Sequence, residues 1–537
     1  VLTGVVHKGR DGTLWFDDLP VRDPADIPRR RAWKSTLWYA TPSVTSTDWA
    51  RVMGTEDVAF GPMPGSVLGV KFRIGKRNRF TVLDSSAWGV HVSDPVQSFD
   101  RLRLMMVQAE SAGIRVKNSV AATAVGVYMD RFNGTVNHPE IRQLPARWRA
   151  MAHSALHGGP IAVLQGGAPH AAQIDVRNAY LSALYEPMPV LGYQDGNKVG
   201  GWYTHGARKW ERVRRLTGFV DASVRVSDDL DPRRLPPLPV HLRCGSVYPR
   251  GELRGCWTIA QVRDAEERGE VEVLTVHQFC FAPVTEPLFA EVADLFASLP
   301  KVLGKKLYTR FWGKFGSRGG YSAHKSEASV FGEVPASGLW WKFDGIALDS
   351  HRARPTYRPD LAAFVCAANH RRVMRTLRTL DAGSVIACHV DAIWTTDVVG
   401  TAKLCAGADV VGGWRTKRTG PLRFYGPGCY DHDGDLAASG YDARVHGPLD
   451  SASLQRWVAG TTHRRMLLQT RRWSSDPAVD PKATSRSLVL QMDRCVSPTE
   501  GPTVYDPCWS LGGWMRRDDA AAGSPLSSVA PRHVDAT

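Results

Sequence analysis

The run from Ser384 to Thr396 constrains this chain more than any other. Val385, Ile386, Ala387 and Cys388 lead into His389, Val390 and Asp391, and Ala392, Ile393, Trp394 and Thr395 follow. Small, β-branched and aromatic residues on both flanks predict strand, tight turn, strand, with Asp391 at the turn. A carboxylate at the tip of a buried hairpin is costly unless a cation or a hydrogen-bonding partner compensates it. Taken alone, such an Asp reads as one satisfied by its own turn amides.

Two further stretches change that reading. In Gln173-Ile174-Asp175-Val176-Arg177-Asn178-Ala179-Tyr180, Asp175 closes a short apolar strand and opens a helix-like run carrying Tyr180. In Lys301 to Gly316, Lys301 and Lys305 lie four apart and so share a helical face, continued by Tyr308 or Thr309 and by Trp312. Two strand-end carboxylates and a helix presenting cations beside aromatics are what metal-assisted phosphoryl transfer requires. The two Asp hold two divalent ions, and the Lys neutralise a triphosphate.

In this order the three stretches resemble the A, B and C motifs of family B DNA polymerases, and most of all the protein-primed (phi29-like) branch. Asp175-Val176-Arg177-Asn178-Ala179-Tyr180 is similar to that branch's Asp-x-x-Ser-Leu-Tyr. Lys305 through Gly313 is similar to Lys-x-x-x-Asn-x-x-Tyr-Gly, with Thr309 for Asn and Trp312 for Tyr. Cys388-His389-Val390-Asp391-Ala392-Ile393 is similar to Cys-Asp-Thr-Asp-Ser-Ile, with His389 for the first Asp. Gly158-Gly159 resembles the family's Tyr-x-Gly-Gly loop, with Leu156 in the place of Tyr. Leu422 to Tyr430 resembles its Lys-x-Tyr primer-holding strand; Tyr430 matches, and Gly428 stands for Lys unless Arg423 substitutes.

The resemblance implies an α+β right-hand polymerase that adds dNTPs to a 3′-hydroxyl or a protein-primed hydroxyl. Asp175 and Asp391, with the Val176 carbonyl, would hold two Mg²⁺ or Mn²⁺ ions. Lys301, Lys305, Asn178, Tyr180, Thr309 and Trp312 would bind the incoming nucleotide, Tyr180 excluding a 2′-hydroxyl. Tyr430, Arg423, Gly158, Gly159 and Lys314 would contact primer and template. The implied partners are primer-template DNA, dNTPs and, in protein-primed replication of a phage, plasmid or mobile element, a terminal protein; a monomer is expected. Two rivals stay open: a polymerase-like DNA-binding protein impaired in catalysis, because His389, Gly428 and Leu156 depart from pattern, and a primase-like polymerase that needs no primer.

Along the chain the same resemblance divides the sequence. Residues 1–150 are expected to form a degenerate exonuclease-like domain. Lys71 to Ser85 reads as a basic hairpin followed by a strand, but no Asp-x-Glu metal pair occurs before residue 171, so no nuclease chemistry is expected. Residues 151–300 would be the first part of the palm, with room for a terminal-protein-type insertion, and 301–355 the fingers, with room for a second. Residues 356–430 would complete the palm, 431–516 form the thumb, and 517–537 a disordered tail rich in Asp, Ala, Ser and Pro. Alternation in Gly218 to Val226 puts Val220, Ala222, Val224 and Val226 on one strand face, and Ile259 to Gly269 reads as a helix closed by glycine. An amphipathic helix is expected from Leu361 to Leu377. His153 and His157 have the i, i+4 spacing of metal ligands but no Glu between them, so structural histidines are favoured. Asp431-His432-Asp433-Gly434-Asp435 looks like a calcium loop without its distal Glu, and reads as a polar hairpin turn.

The formal net charge of +15 points to a polyanionic partner, although an Arg-rich codon bias accounts for part of it. Nine scattered cysteines with no Cys-x-x-Cys argue against a zinc ribbon or a disulfide framework. No apolar run approaches a membrane span and no signal sequence leads the chain, so a soluble cytoplasmic protein is expected, in a bacterial host if phage- or plasmid-encoded.

Overall fold

The computed structural model describes residues 95–131 (without Asn118), 146–189, 209–242 (without Pro232), 245–316, 356–407, 410–438 (without Pro427) and 448–460, and elsewhere mainly strand segments. The expected tail, 517–537, lies outside the described residues. The chain is a mixed helix-and-sheet protein whose residues cluster into two compact units. One comprises Val1–Asn133, Glu291–Pro355 and Arg465–Gln491; the other comprises Gly134–Ala290, Thr356–Arg464 and Met492–Thr537. No helix among the described residues is long and apolar enough to cross a membrane.

The first unit carries a seven-stranded sheet. Its centre is parallel: strand Leu37–Ala40 lies between Thr3–Lys8 and Asn78–Asp84. Val67–Ile74 and Asn78–Asp84 form the hairpin expected around Lys71 to Ser85. The helix Pro95–Ser111 buries Leu102, Met105, Met106 and Ala109, a stripe at helical spacing. Helix Lys301–Gly316 buries Leu303, Leu307, Phe311 and Phe315 at intervals of four, and Phe311 meets the ring of Tyr128 edge-on at 5.6 Å. A Cβ on Gly304 would lie 2.3 Å from the Phe296 carbonyl oxygen, so only glycine lets helix Ala290–Ser298 approach so closely.

In the second unit, a seven-stranded antiparallel sheet is built from β1 (Ile161–Val163), β2 (Gly167–Val176), β3 (Val385–His389), β4 (Ala392–Thr395), β5 (Trp414–Gly426), β6 (Cys429–His432) and β7 (Asp435–Ala438). Its spatial order is β7-β6-β5-β2-β4-β3-β1. The oldest pieces in sequence, β1 and β2, are thus interleaved with strands more than 200 residues later, β2 lying between β4 and β5. A four-stranded sheet adds Thr217–Val226 and its neighbours Glu252–Thr258 and Val271–Ala282, with Val220, Ala222, Val224 and Val226 buried as the alternation predicts. The following helix, Ile259–Glu267, starts on a Thr258–Gln261 capping box, and Gly269 beyond its end takes φ +69°.

The helix expected at 361–377 runs over Pro359–Thr379 (α2; the short α1 is Ala179–Ala183). Buried Arg358 and Asp360 pair through two bonds of 2.9 and 2.6 Å at its start, so neither charge is left uncompensated. Farther along, His370 stacks on Tyr248 with ring centroids 6.2 Å apart, and its Nδ1 lies 3.3 Å from the Gln261 amide. Burial first, then the charges of His157 and nearby arginines, pushes its pKa down to about 3. The unfolded imidazole binds a proton near pH 6.5, whereas the folded one does so only near 3. The stabilisation is therefore complete above pH 6.5 and is lost as pH falls toward 3. Over that window His370 should weaken the fold by about 1.4 kcal/mol per pH unit. Denaturant melts from pH 7 to 4 check this: His370→Gln should flatten the slope, and an unchanged slope would remove His370 from that role.

Candidate active site

The candidate site forms where β2 and β4 run side by side. Ala392 stands opposite Asp175, and the Val176 N–H donates to the Asp391 carbonyl at 3.0 Å. The two carboxylates therefore sit at neighbouring strand ends although 216 positions (391 − 175) separate them in sequence. Between His389 and Ala392 the chain turns through Val390 and Asp391, and Val390 has φ +63°. That left-handed conformation is unfavourable for a β-branched residue and persists only where its surroundings impose it. Here the Val390 N–H donates to the Pro160 carbonyl at 2.7 Å, and the Asn369 amide of α2 donates to the Val390 carbonyl at 3.2 Å. Gly159 completes the clamp: a Cβ there would lie 2.7 Å from the Val390 Cα.

On the other side of β2, Arg415 of β5 stands opposite Asp175. Its Nε lies 2.7 Å from Asp175 Oδ1 and its Nη2 3.4 Å from Oδ2. Asn178 takes φ +53°, and its carbonyl accepts the Ser182 N–H at 3.0 Å as α1 begins. Tyr180, half-buried on α1, has its phenol pKa raised by burial, then by Cys366 and the Asp391 carboxylate, so it stays protonated. Burial lowers the pKa of His389, which favours the neutral imidazole. The second unit thus brings together Asp175, Val176, Asn178, Tyr180, Asp391 and Gly159. Sequence reasoning missed Arg415, which only the β2–β5 register reveals.

Among the described residues, no three His, Cys, Asp or Glu side chains gather as a metal cluster. The donor set of two carboxylates and a backbone carbonyl is nevertheless hard oxygen, and a cation, the Arg415 guanidinium, already sits on Asp175. Such a short set suits Mg²⁺, which commonly takes one or two carboxylates and completes its shell with substrate phosphates and water. The residues present fit a divalent ion of that kind.

The expected nucleotide-binding helix belongs to the first unit. Lys301 and Lys305 are exposed, and the stripe continues through Thr309 and Trp312, both partly exposed. Tyr308 instead falls on the buried side. The Thr309 hydroxyl donates to the Lys305 carbonyl at 2.8 Å, which leaves its oxygen as an acceptor. Lys306, which the sequence reading did not single out, is half-buried; burial first, then the charges of Arg310, Arg101 and Lys305, lowers its pKa. Lys314 is partly exposed near the helix end.

Of the expected primer and template contacts, Tyr430 packs its ring 5.2 Å from Trp394 and 5.3 Å from Phe424, within an apolar cluster. Arg423 is exposed, its guanidinium 5.0 Å over the Tyr425 ring. Gly428 has φ +71°, which explains glycine where the resemblance expects Lys: the β5–β6 turn needs a left-handed residue. Asp433 and Gly434 have φ +52° and +80° and close the β6–β7 hairpin, a turn rather than a calcium loop. His153 lies in the last turn of helix Ala146–Ser154 and His157 beyond it; their rings hydrogen-bond to the Tyr357 hydroxyl and the Cys256 carbonyl.

The clamp on Val390 gives Gly158 and Gly159 different weights. Gly159→Ala should lower stability by about 1–3 kcal/mol through overpacking against the hairpin, whereas a Cβ on Gly158 meets nothing within 4 Å. Thermal melts of the two variants check this, and equal midpoints would contradict the clamp.

No protein-family model matches this chain, and no curated protein matches it. Solved structures do. Phi29 DNA polymerase in an orthorhombic crystal form superposes with a TM-score of 0.53 at 12% identity, covering 82% of this chain and 90% of that one. Phi29 DNA polymerase complexed with single-stranded DNA gives 0.54 at 11% identity, covering 84% and 94%. Its complex with primer-template DNA and incoming nucleotide substrates gives 0.55 at 10% identity, covering 86% and 92%. At such identities the likeness is one of fold, and over most of its length this chain has the fold of phi29 DNA polymerase.

Proposed function

We propose that the chain is a template-directed DNA polymerase that extends a 3′-hydroxyl or a protein-borne hydroxyl. The observation that carries this reading is the pairing of Asp175 and Asp391 at adjacent strand ends, within a fold shared with a DNA polymerase. The charge of +15 agrees with a nucleic-acid partner. Strands β1 to β5 of the second unit's sheet serve as palm, the helix Lys301–Gly316 as fingers, the segment from residue 431 as thumb, and the first unit's sheet as an exonuclease-like domain without nuclease chemistry.

On this reading Asp175, Asp391 and the Val176 carbonyl hold two divalent ions, Mg²⁺ or Mn²⁺, which supply activation of the attacking hydroxyl and neutralisation of phosphate charge. The primer 3′ oxygen attacks the α-phosphorus of a dNTP, the bond to the β-phosphate breaks, and pyrophosphate leaves. The family resemblance assigns Lys301 and Lys305 of the first unit's helix to the triphosphate charge. Tyr180, kept protonated by burial, lies under the sugar and leaves no room for a 2′-hydroxyl. Asn178 borders the incoming nucleotide, and the family resemblance assigns Thr309 and Trp312 of the first unit to nucleotide binding. Gly158, Gly159, Arg423 and Tyr430 border the primer and template, and the family resemblance assigns Lys314 of the first unit to DNA contact. A terminal protein is the partner in protein-primed replication of a phage, plasmid or mobile element, in the host cytoplasm.

A second reading, a DNA-binding scaffold impaired in catalysis, draws on His389 standing for a carboxylate and on Arg415 occupying Asp175. Primer extension on a defined template with Mg²⁺ or Mn²⁺, with and without primer, separates the readings. Asp391→Asn should lower nucleotide addition by about a thousandfold while DNA binding is retained. Wild type that binds DNA but adds no nucleotide supports the scaffold, and full synthesis without a primer supports a primase-like enzyme.

A further inference from the structure

Arg415 has no part in that mechanism, yet its guanidinium grips Asp175 through two contacts, 2.7 Å from Nε to Oδ1 and 3.4 Å from Nη2 to Oδ2. The pair is partly open to solvent: the Asp175 side chain is 16% exposed and that of Arg415 42%. A carboxylate held by such a fork has committed lone pairs that a metal ion would use, and the neighbouring positive charge opposes a second cation. The β2–β5 ladder does not need this contact. The Arg177 N–H donates to the Gly413 carbonyl and the Gly412 N–H to the Arg177 carbonyl, both at 2.8 Å, and Trp414 is buried beside them.

We propose that Arg415 competes with the divalent ion for Asp175 and thereby sets how tightly the site loads metal. The inference rests on reading Asp175 as a metal ligand. Without metal the guanidinium neutralises the carboxylate. When the ion arrives with its triphosphate, the exposed side chain gives way, and its planar donors become available to a phosphate group, whose geometry they match. Loading is then coupled to the arrival of an anion that can receive the displaced arginine. A lone ion meets a competitor already in place.

The test is Mn²⁺ binding to the full chain, read from the EPR signal of free Mn²⁺ without DNA or nucleotide, for wild type, Arg415→Gln, Arg415→Lys and Asp175→Asn. Arg415→Gln should tighten Mn²⁺ binding by about tenfold, the scale of one partly exposed charge-assisted contact. Arg415→Lys, a point charge without the fork, should fall between Arg415→Gln and wild type, and it decides the matter if Arg415→Gln fails to fold. A merely structural brace would act in the opposite direction, since its loss would slacken Asp175 and weaken binding. Unchanged or weaker binding in the folded Arg415 variants, with binding lost in Asp175→Asn, overturns the competition alone. Asp175→Asn that binds Mn²⁺ as wild type does overturns the metal-ligand reading of Asp175 and the competition with it.

Discussion

Much of the second unit depends on how the Val390–Asp391 turn is held against β2. The backbone bond from Val176 N–H to the Asp391 carbonyl fixes the register that sets Ala392 opposite Asp175, and so brings two distant carboxylates to one edge of the sheet. The turn itself is an unfavourable left-handed one at a β-branched residue. Pro160 and the bare Cα of Gly159 restrain it from the loop before β1, and Asn369 restrains it from α2. Conformational strain of this kind is tolerable because the helix α2, the strand β1 and its preceding loop close on it together.

Electrostatics then decides what such an edge can be used for. Carboxylates at adjacent, partly buried strand ends are favoured by a nearby cation. Arg415 supplies a cation at Asp175, while His389 and Tyr180 favour their neutral forms through burial and add none. On the proposed reading, Arg415 is the internal cation that an incoming ion would displace. Among the described residues no three acidic or imidazole ligands gather, and on the proposed reading a substrate phosphate would complete the shell.

How much of this was legible in the sequence follows from the range of each interaction. The hairpin around Asp391, the strand ending near Asp175 and the helix Lys301–Gly316 were readable because local propensity and periodicity specify them. The same periodicity left Tyr308 and Thr309 undecided, and packing chose: Tyr308 is buried and Thr309 remains on the lysine stripe. Arg415 was invisible because it faces Asp175 only through a register between strands 240 positions apart. Gly428 read as a missing lysine, whereas its positive φ makes it a turn requirement. Gly159 read as a template contact, and its nearest constraint is the Val390 backbone. Each of these depends on what lies across a tertiary contact, which a single sequence does not display.

The account stands on Asp175 and Asp391 forming one metal-binding edge. Replacing Mg²⁺ with Fe²⁺ and adding ascorbate generates hydroxyl radicals that cut the backbone where the ion sits, and the fragments can be mapped by mass spectrometry. The account predicts cuts clustered around both residue 175 and residue 391, suppressed by excess Mg²⁺ and absent in Asp391→Asn. Cleavage confined to other regions, or cuts near one of the two positions that persist in Asp391→Asn, would contradict it.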